Sequence, residues 1–273
     1  MKQKPLVSVV MPNYNGERFI KEAIESILQQ SYNNFEFIIV DDCSTDSSWD
    51  IIQTYAKKDS RIKAFKNSSN MKIVATRNKG FSLCSKKSTY VAIFDSDDIS
   101  HKKRLEKQVV FLEKNTHVGA IGGHTYIINE EGNVVFKRTY PLTFSKKKVL
   151  FKSPFAQPAV MLRKSVLDTV GVYKVECDFD RARDFDLWIR IQDSYDIATL
   201  NAFVLYYRIS STQGKKTHLK ETLRSTIQVQ KKWMFKKKYF SFSLCVYVCL
   251  EYMLLLLPER IILYLFKRKE YTQ

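Results

Sequence analysis

The sequence predicts an α/β protein with a mostly parallel central sheet and helices on both faces. Over the first half of the chain, short apolar runs alternate with segments of helical apolar spacing, the pattern of repeated β-α-β units. The apolar runs are unbroken, which is typical of strands covered on both faces. Two of them end in Asp-rich turns, and ligands of such sheets bind at the carboxyl ends of strands.

The elements of the first half follow from β-branched or aromatic runs and from apolar residues three or four apart. The first run, for example, is closed by the turn-forming residues Pro12 to Gly16. The predicted strands are Leu6–Met11, Phe35–Val40, Ile62–Phe65 and Tyr90–Phe94. The predicted helices are Glu17–Gln30, Ser47–Lys57 and Val74–Cys84.

From His101 the alternation ends, and the segment up to about Gly214 contains no repeat and no linker. We therefore expect it to extend the same sheet. The predicted elements are a helix over Lys102–Asn115, a hairpin of Ala120–Asn129 with Asn133–Arg138, a possible strand over Phe155–Leu162, a helix over Lys164–Val170 ended by Gly171, and a helix over Asp184–Asp193.

The last part of the chain is basic and apolar. Lys215–Lys238 predicts a basic helix, and the nineteen residues of Tyr239–Leu257 carry one charge. A helix of that length is roughly 28 Å long, close to the thickness of a bilayer core. Basic clusters flank both ends, so the positive-inside rule favours no crossing direction. We expect an interfacial or re-entrant helical hairpin, with a membrane span as second choice. A helix packed on the rest of the protein, or an oligomer contact, is the alternative.

The charge balance points to a polyanionic partner. The 273 residues have a formal net charge of +17, and the last 60 hold 13 Lys and Arg against 4 Asp and Glu. A basic segment beside an apolar run favours an anionic membrane surface over nucleic acid. The five cysteines include no CxxC pair, which indicates reduced thiols. The six apolar residues after the N-terminus are too short for a signal peptide, so we expect the catalytic part in the cytosol.

The Asp-rich turns are the candidate sites of chemistry. Asp95, Asp97 and Asp98 follow a predicted buried strand, and such a cluster suits Mg²⁺ or Mn²⁺; the alternative is a turn that caps the next helix. Asp42 could accept hydrogen bonds from a nucleobase or ribose, or belong to another helix cap. The chain has neither GxGxxG nor GxxxxGK[ST], which disfavours a Rossmann dehydrogenase and excludes a P-loop NTPase.

Several ordered motifs over about residues 5–210 resemble family 2 glycosyltransferases of the GT-A fold. Each motif is weak alone, but their order and spacing together are specific. They are Leu6–Asn15, Ile39–Asp46, Ala75–Gly80, Phe94–Asp98, Pro158–Lys164, Gly171–Tyr173, Arg183–Trp188 and Tyr206–Arg208.

The resemblance implies roles for individual residues. Pro12, Asn13, Tyr14 and Asp42 would face the nucleotide, with Asp42 toward uracil. Arg77 would lie beside the base and phosphates. Asp95 and Ser96 would contact the donor, with Asp95 at the ribose or a metal-bound water. Asp97 would hold a metal that bridges the diphosphate. Asp184 occupies the position of the catalytic base. Asp98, Gln157, Arg183, Trp188 and Arg208 would support the site or contact the acceptor.

Three departures from the family pattern affect these expectations. Arg183 stands where an acidic residue usually precedes the base, and the adjacent cation could lower the pKa of Asp184. Gln157 stands where a His is common. No His follows Arg208, which puts in doubt a late His contribution to the diphosphate or metal. Without the family pattern, we would interpret Asp184 as a surface helix residue that forms an ion pair with a nearby Arg.

The implied activity is an inverting transfer of a sugar from a UDP-sugar to a hydroxyl of a glycan or lipid-linked acceptor. The pathway would be bacterial lipopolysaccharide, O-antigen or capsule synthesis, at the inner face of the cell membrane. Residues 1–100 would bind the nucleotide-sugar, residues 101–213 would bind the acceptor and carry the base, and residues 214–273 would associate with the membrane. The alternatives are an inactive membrane scaffold of the same fold, a sugar nucleotidyltransferase and a weak, non-specific nucleic-acid binder.

Overall fold

The computed structural model describes residues 4–146, 148–209 and 218–262. Its strands are β1 (Leu6–Asn13), β2 (Phe35–Asp41), β3 (Ile62–Lys66), β4 (Ser88–Ile93), β5 (Ile99–Ser100), β6 (Val118–Ile128), β7 (Val134–Arg138), β8 (Met161–Arg163) and β9 (Asp196–Arg208). Its helices are α1 (Ile20–Leu28), α2 (Ser48–Lys58), α3 (Lys72–Ser82), α4 (Arg104–Lys114), α5 (Lys164–Val170), α6 (Arg183–Ser194), α7 (Leu219–Met234) and α8 (Phe242–Leu256).

The strands form one mixed sheet in the order β3-β2-β1-β4-β8-β6-β9-β5, with β7 paired to β6. The first four strands of that order are parallel to one another. The short strand β8 is antiparallel to both β4 and β6, and β6 is parallel to β9. The predicted α/β class and mostly parallel sheet are confirmed. The parallel block aligns the carboxyl ends of β1, β2 and β3 along one edge.

The parallel strands are buried because their apolar runs are continuous. Every residue of β2 is buried, and so are all but the first of β1. Helix α1 covers the sheet with an apolar stripe that includes Ile20, Ile24 and Ile27. On α3, a Cβ atom added at Gly80 would lie 2.4 Å from Cγ1 of Val10, so this helix approaches β1 very closely.

Two parts of the sheet differ from the sequence-based expectation. The strand proposed over Phe155–Leu162 is wrong for most of its length: Gln157–Ala159 forms a 3₁₀ turn and only Met161–Arg163 pairs in the sheet. Pro158 has no N–H to donate to a ladder, which favours the turn. Strand β9 was not predicted, because its apolar residues follow no single period and its pairing with β6 contains register shifts.

The chain divides into two units. The sheet unit comprises Met1–Phe144, Pro154–Val175 and Arg190–Ile209, and it contains every described strand. The helical unit comprises Ser145–Ser153, Glu176–Ile189 and Ser210–Gln273. The division into nucleotide-sugar, acceptor and membrane segments is a functional one, and it stays a prediction.

In the helical unit, α7 and α8 form the predicted basic and apolar helices. Buried Leu244, Val248 and Glu251 share one face of α8, while Phe242 and Leu256 are among its most exposed apolar residues. Among the described residues, no helix has the length and apolar character needed to cross a membrane. The second arm of the predicted hairpin, from 263 onward, lies outside the described residues, and an interfacial position of α8 stays a prediction.

Candidate active site

A pocket of about 180 Å³ lies in the sheet unit where β1 and β2 end and α3 begins. Four predicted nucleotide-binding residues line it together with the segment that leads into α3. Its lining residues are Pro12, Asn13, Tyr14, Asp42, Asn70, Lys72, Ile73 and Thr76. The structure thus brings the predicted β1 and β2 motifs to one concave surface.

The loop after β1 is held by a buried polar network. Asn13 Nδ2 donates to Asp41 Oδ1 at 3.0 Å and to Ser44 Oγ at 3.3 Å, and the Ser44 hydroxyl donates to Asp41 Oδ1 at 2.5 Å. Ser44 Oγ also accepts from the Asn15 backbone N–H. Asp41 therefore fixes the two loops, and Asp42 is the carboxylate that lines the pocket.

Asp42 is buried, and the segment before α3 orients it. Its Oδ1 accepts from Asn67 Nδ2 at 2.7 Å and from the Met71 backbone N–H at 2.8 Å. Asn67 Nδ2 donates also to the Thr76 hydroxyl, and Asn67 Oδ1 accepts from Lys79 Nζ at 2.7 Å. These bonds hold the carboxylate in one orientation at the pocket wall.

Three described non-glycine residues have positive φ angles, and all of them border this region: Asn15, Cys43 and Lys72. Each lies next to or among the pocket-lining residues. Such backbone conformations cost free energy and tend to cluster at functional sites. They shape the three loops that meet at the pocket.

Arg77 and Asp95 form an ion pair beside this region. The distance from Arg77 Nη2 to Asp95 Oδ1 is 2.5 Å, and the Arg77 side chain is almost fully buried. The guanidinium carbon also lies 5.8 Å from the ring centroid of Tyr173, whose hydroxyl accepts from Gln157 Nε2 at 2.8 Å. Predicted residues Arg77, Asp95 and Gln157 are thus linked in one network, with Tyr173 between them.

Arg208 connects the acidic turn to distant parts of the sheet unit. Its backbone N–H donates to Asp98 Oδ1 at 2.9 Å and its Nε to the Asp97 carbonyl at 2.8 Å. Its Nη2 donates to Glu22 Oε2 at 2.5 Å, and its Nη1 donates to the Glu130 carbonyl at 2.9 Å. These contacts make Arg208 a support for the turn.

The acidic turn carries concentrated negative charge. Burial raises the pKa of Asp98 well above its ordinary value, and the neighbouring charges of Asp97 and Asp95 raise it further. Asp98 Oδ2 is buried and has no hydrogen-bond partner among the described residues. Burial lowers the pKa of Arg104 to about 10, although Asp98 and Asp95 act in the opposite direction.

The turn fits a divalent cation by the chemistry of its donors. Carboxylate oxygens are the ligands that Mg²⁺ and Mn²⁺ prefer, and a cation would offset the repulsion that, after burial, raises the pKa of Asp98. Within residues 4–146, 148–209 and 218–262, no three His, Cys, Asp or Glu side chains are grouped to hold a metal. Mg²⁺ commonly takes one or two carboxylates and completes its shell with substrate phosphates and water.

The remaining predicted residues belong to the helical unit. Asp184 is half-buried in the first turn of α6, and Arg183 forms an ion pair with Asp180. Trp188 is fully buried, and its role as a support of the site stays a prediction. Asp186 is also buried and accepts from Lys232 Nζ at 2.6 Å and Trp233 Nε1 at 3.2 Å.

The sequence analysis did not identify Asn67, Lys72, Thr76 or Tyr173 as site residues. The first three lie after β3, the strand that continues the parallel block, so the rule of strand carboxyl ends could have indicated them. Tyr173 lies in a quoted motif, but its contact with Arg77 spans almost a hundred residues of sequence. Ser96 lies near this region too: a Cβ at Gly16 would be 2.3 Å from Asn13 Oδ1 and 3.4 Å from Ser96 Oγ.

Comparison with known proteins decides the family. Residues 8–171 match the family described as Glycosyl transferase family 2. The chain belongs to glycosyltransferase family 2. The family match contains the pocket, the Arg77–Asp95 pair and the acidic turn. The protein is therefore a transferase, as the motifs predicted.

Relatives of this family 2 glycosyltransferase extend the match to most of the chain. An uncharacterized glycosyltransferase of Methanocaldococcus jannaschii is 36% identical over 90% of this chain and 88% of its own length. The Escherichia coli protein named UDP-Glc:alpha-D-GlcNAc-diphosphoundecaprenol beta-1,3-glucosyltransferase WfgD is 29% identical over 80% of this chain and 83% of its length.

Solved structures confirm the GT-A fold. S. aureus TarS 1-349 in complex with UDP-GlcNAc superposes with a TM-score of 0.63 at 22% identity, covering 82% of this chain and 66% of that chain. The mannosyltransferase PcManGT from Pyrobaculum calidifontis, in complex with GDP-Man and Mn²⁺, has a TM-score of 0.68 at 16% identity, covering 94% and 72%. The chain thus spans just under two thirds of TarS 1-349.

Proposed function

We propose that this glycosyltransferase transfers a sugar from a UDP-sugar to a hydroxyl of a glycan or lipid-linked acceptor during synthesis of bacterial surface polysaccharide. The observation that carries the proposal is the pocket at the ends of β1 and β2, lined by Pro12, Asn13, Tyr14 and Asp42, in a chain of family 2. Relatives named for diphosphoundecaprenol acceptors and a fold neighbour bound to UDP-GlcNAc support it.

The donor would bind with its nucleotide in this pocket. Asp42 is held in one orientation by Asn67 and Met71, so its carboxylate could accept the N–H of uracil without reorganisation. Tyr14 is half exposed and offers a ring face for the base. Arg77, already paired with Asp95, would place a positive charge beside the phosphates.

Departure of UDP requires compensation of the charge that develops on the diphosphate. Asp97 would hold Mg²⁺ or Mn²⁺, with Asp95 at the ribose or at a metal-bound water. The bound cation supplies Lewis-acid stabilisation of the leaving group. The family relation and the carboxylate donors of the turn support this assignment.

Asp184 is the proposed general base. Its carboxylate would take the proton of the acceptor hydroxyl as the oxygen attacks the anomeric carbon and the bond to the diphosphate breaks. Attack opposite the leaving group inverts the anomeric configuration, so an α-linked donor would yield a β-glycoside. The position of Asp184 in the Arg183–Trp188 motif supports this role.

We further propose that the helical unit attaches the enzyme to the inner face of the membrane, where a lipid-linked acceptor would lie. Phe242, Leu250, Met253 and Leu256 expose apolar surface on α8. Exposed lysines at 231 and 236–238 precede this helix. Apolar side chains beside lysines are typical of segments that bind anionic interfaces.

The first experiment measures UDP release from a panel of UDP-sugars with and without Mn²⁺ or Mg²⁺. Many transferases slowly hydrolyse their donor, so no acceptor has to be known. We expect metal-dependent release from one sugar and its loss in Asp97→Asn. Asp50→Asn, which changes an exposed carboxylate on α2, is the matched control and should keep full activity. Absence of binding and cleavage for every UDP-sugar would overturn the UDP assignment and favour an inactive scaffold.

A second experiment tests the membrane attachment. Vesicles of phosphatidylcholine with phosphatidylglycerol should co-float the wild-type protein, and vesicles of phosphatidylcholine alone should bind it less. Leu250→Ser with Met253→Ser should reduce flotation, while Ser243→Ala on the same helix should not. Equal flotation of the double variant and the wild type would refute the attachment by α8.

A further inference from the structure

Three aromatic side chains form a stack on one face of the sheet unit, on strands β6 and β9. The ring centroids of Tyr126 and Phe203 are 4.3 Å apart, and those of Tyr126 and Tyr206 are 4.9 Å apart. Both pairs have an interplanar angle of 21°. All three side chains are partly exposed. The stack is therefore a surface feature and not a part of the buried core.

A strand irregularity creates the stack. Residues three apart on a regular strand point to opposite faces, as Phe203 and Tyr206 would. The register between β6 and β9 shifts: His124 pairs with Phe203, while the next residue, Thr125, pairs with Leu205. The extra residue, Val204, turns Phe203 and Tyr206 to the same face, with Tyr126 against both. Bulges of this kind re-aim side chains and are frequent next to active sites.

The stack leads directly to the acidic turn. Tyr206 pairs with Tyr126 on one side and with Ile99 of β5 on the other, so it lies between the rest of the stack and β5. Ile99 directly follows Asp98 in the chain. Two residues beyond Tyr206, the side chain of Arg208 donates to the Asp97 carbonyl. Through Ile99 and Arg208, Tyr206 is thus connected to the turn where the donor diphosphate is proposed to bind.

The other end of the stack is fixed and carries a cation. His124 packs edge-on against Phe203 at 5.5 Å. Its Nδ1 accepts from the Tyr140 backbone N–H, which leaves Nε2 to donate to Asn201 Oδ1 at 3.3 Å. Lys137 Nζ lies 5.8 Å from the Tyr126 centroid. His124 and Lys137 thus contact the Phe203 and Tyr126 end of the stack, while Tyr206 is partly exposed at the other end.

We propose that Tyr126, Phe203 and Tyr206 form the subsite for a pyranose ring of the acceptor, with the sugar packed on the Tyr206 ring. This inference rests on the proposed function. Ring C–H groups on one side of a pyranose carry partial positive charge, and the face of an aromatic ring is negative. The hydroxyls of Tyr126 and Tyr206 and the ammonium group of Lys137 could form hydrogen bonds with sugar hydroxyls. Because the nucleobase is proposed to bind in the pocket at Asp42, we assign the stack to the second substrate.

The test is saturation-transfer NMR on the full chain with bound UDP. The probes are methyl glycosides of glucose, galactose, N-acetylglucosamine and N-acetylgalactosamine, with free uridine as a separate probe. Saturation of aromatic protons should pass to ring protons on one side of at least one glycoside. We expect Tyr206→Leu to weaken this binding about three- to tenfold. Tyr206→Phe, which keeps the ring, should retain it.

Matched variants separate a binding role from a folding role. Phe136→Leu changes an aromatic residue of the same hairpin on the opposite face, since Phe136 pairs with Ile127. It should bind the glycoside as the wild type does. The inference is overturned if no glycoside receives saturation from the wild-type protein, or if Tyr206→Leu and Tyr126→Leu both retain saturation transfer to the glycoside. It is also overturned if these substitutions reduce saturation transfer to uridine only. UDP binding by the wild type is measured separately, so failure of the donor assignment is distinguishable.

Discussion

Glu36 shows how a single buried carboxylate joins several parts of the sheet. It accepts from the Ser8 hydroxyl at 2.5 Å and from the Ser85 backbone N–H at 2.7 Å, and it forms an ion pair with Lys63. Burial raises the pKa of Glu36, but the bonds from Lys63, Ser8 and Ser85 outweigh it, and the net pKa is lowered. The folded protein therefore binds this proton more weakly than the unfolded chain does.

This difference predicts a pH-dependent stability. Because the folded pKa is depressed, the contribution of Glu36 is fully present above the unfolded value of about 4.3 and is lost as pH falls through the lower folded value. At neutral pH, Glu36→Gln should reduce the free energy of unfolding by about 1–3 kcal/mol. Denaturant titrations at neutral and acidic pH should show this deficit shrinking below pH 4.3.

Asp50→Asn is the control for Glu36→Gln, since Asp50 is exposed on α2 and should change stability little at either pH. A deficit for Glu36→Gln that is the same at neutral and acidic pH would show that the charge of Glu36 does not provide the stability.

Helix α3 can pack closely against β1 because Gly80 has no side chain. A Cβ at Gly80 would lie 2.4 Å from Val10 Cγ1 and 3.6 Å from Val40 Cγ2, both on buried strands. Alanine is the better helix former by about 1 kcal/mol, yet the overlap with β1 has to be relieved by movement of packed strands. The close contact is therefore expected to outweigh the gain in helix propensity.

We predict that Gly80→Ala lowers the free energy of unfolding by about 1–3 kcal/mol. Chemical denaturation followed by circular dichroism measures the change. Ser82→Ala, at an exposed position of the same helix, is the control and should stay within about 0.5 kcal/mol of the wild type. If Gly80→Ala is as stable as Ser82→Ala, α3 can shift away from β1 without cost.

The sequence predicts a helix or strand well where a single local pattern of apolar residues determines it. Strands β1 to β4 lie within about two residues of their predicted bounds because each is an unbroken apolar run between polar turns. Strand β9 could not be found in the same way, since its bulge breaks the alternation of side chains. The 3₁₀ turn over Gln157–Ala159 was missed although Pro158 indicated an interruption.

The candidate site shows the same division. Asp42 and Asp97 follow strands that their unbroken apolar runs predict, and each belongs to a family motif, so both could be identified from the sequence. The support that Asn67 gives to Asp42, and Arg208 to the acidic turn, depends on contacts between residues far apart in sequence. The proposed acceptor surface has Phe203 and Tyr206 on one face only because a register shift lies between them.

For the whole molecule, the formal net charge of +17 should act on anionic ligands at a distance. The Debye length falls from roughly 30 Å at 0.01 M salt to about 3 Å at 1 M. We expect the dissociation constant of UDP to rise several-fold over that range, since screening removes the attraction from charges outside the pocket.

Titration calorimetry at several NaCl concentrations measures this effect, and sucrose at matched osmolality is the control for non-ionic effects of the solute. A dissociation constant that does not change with NaCl would show that only the charges lining the pocket matter.

The contacts of Arg208 also affect the order in which parts of the protein fold during synthesis. It joins the turn at Asp97 and Asp98 to Glu22 and Glu130, although it is the last residue of β9. The strands that carry the candidate nucleotide pocket leave the ribosome more than a hundred residues earlier, and N-terminal parts of a chain generally fold first. During synthesis, the nucleotide pocket would thus fold before Arg208 can form its hydrogen bonds to the acidic turn. The enzyme would become active only after β9 has joined the sheet.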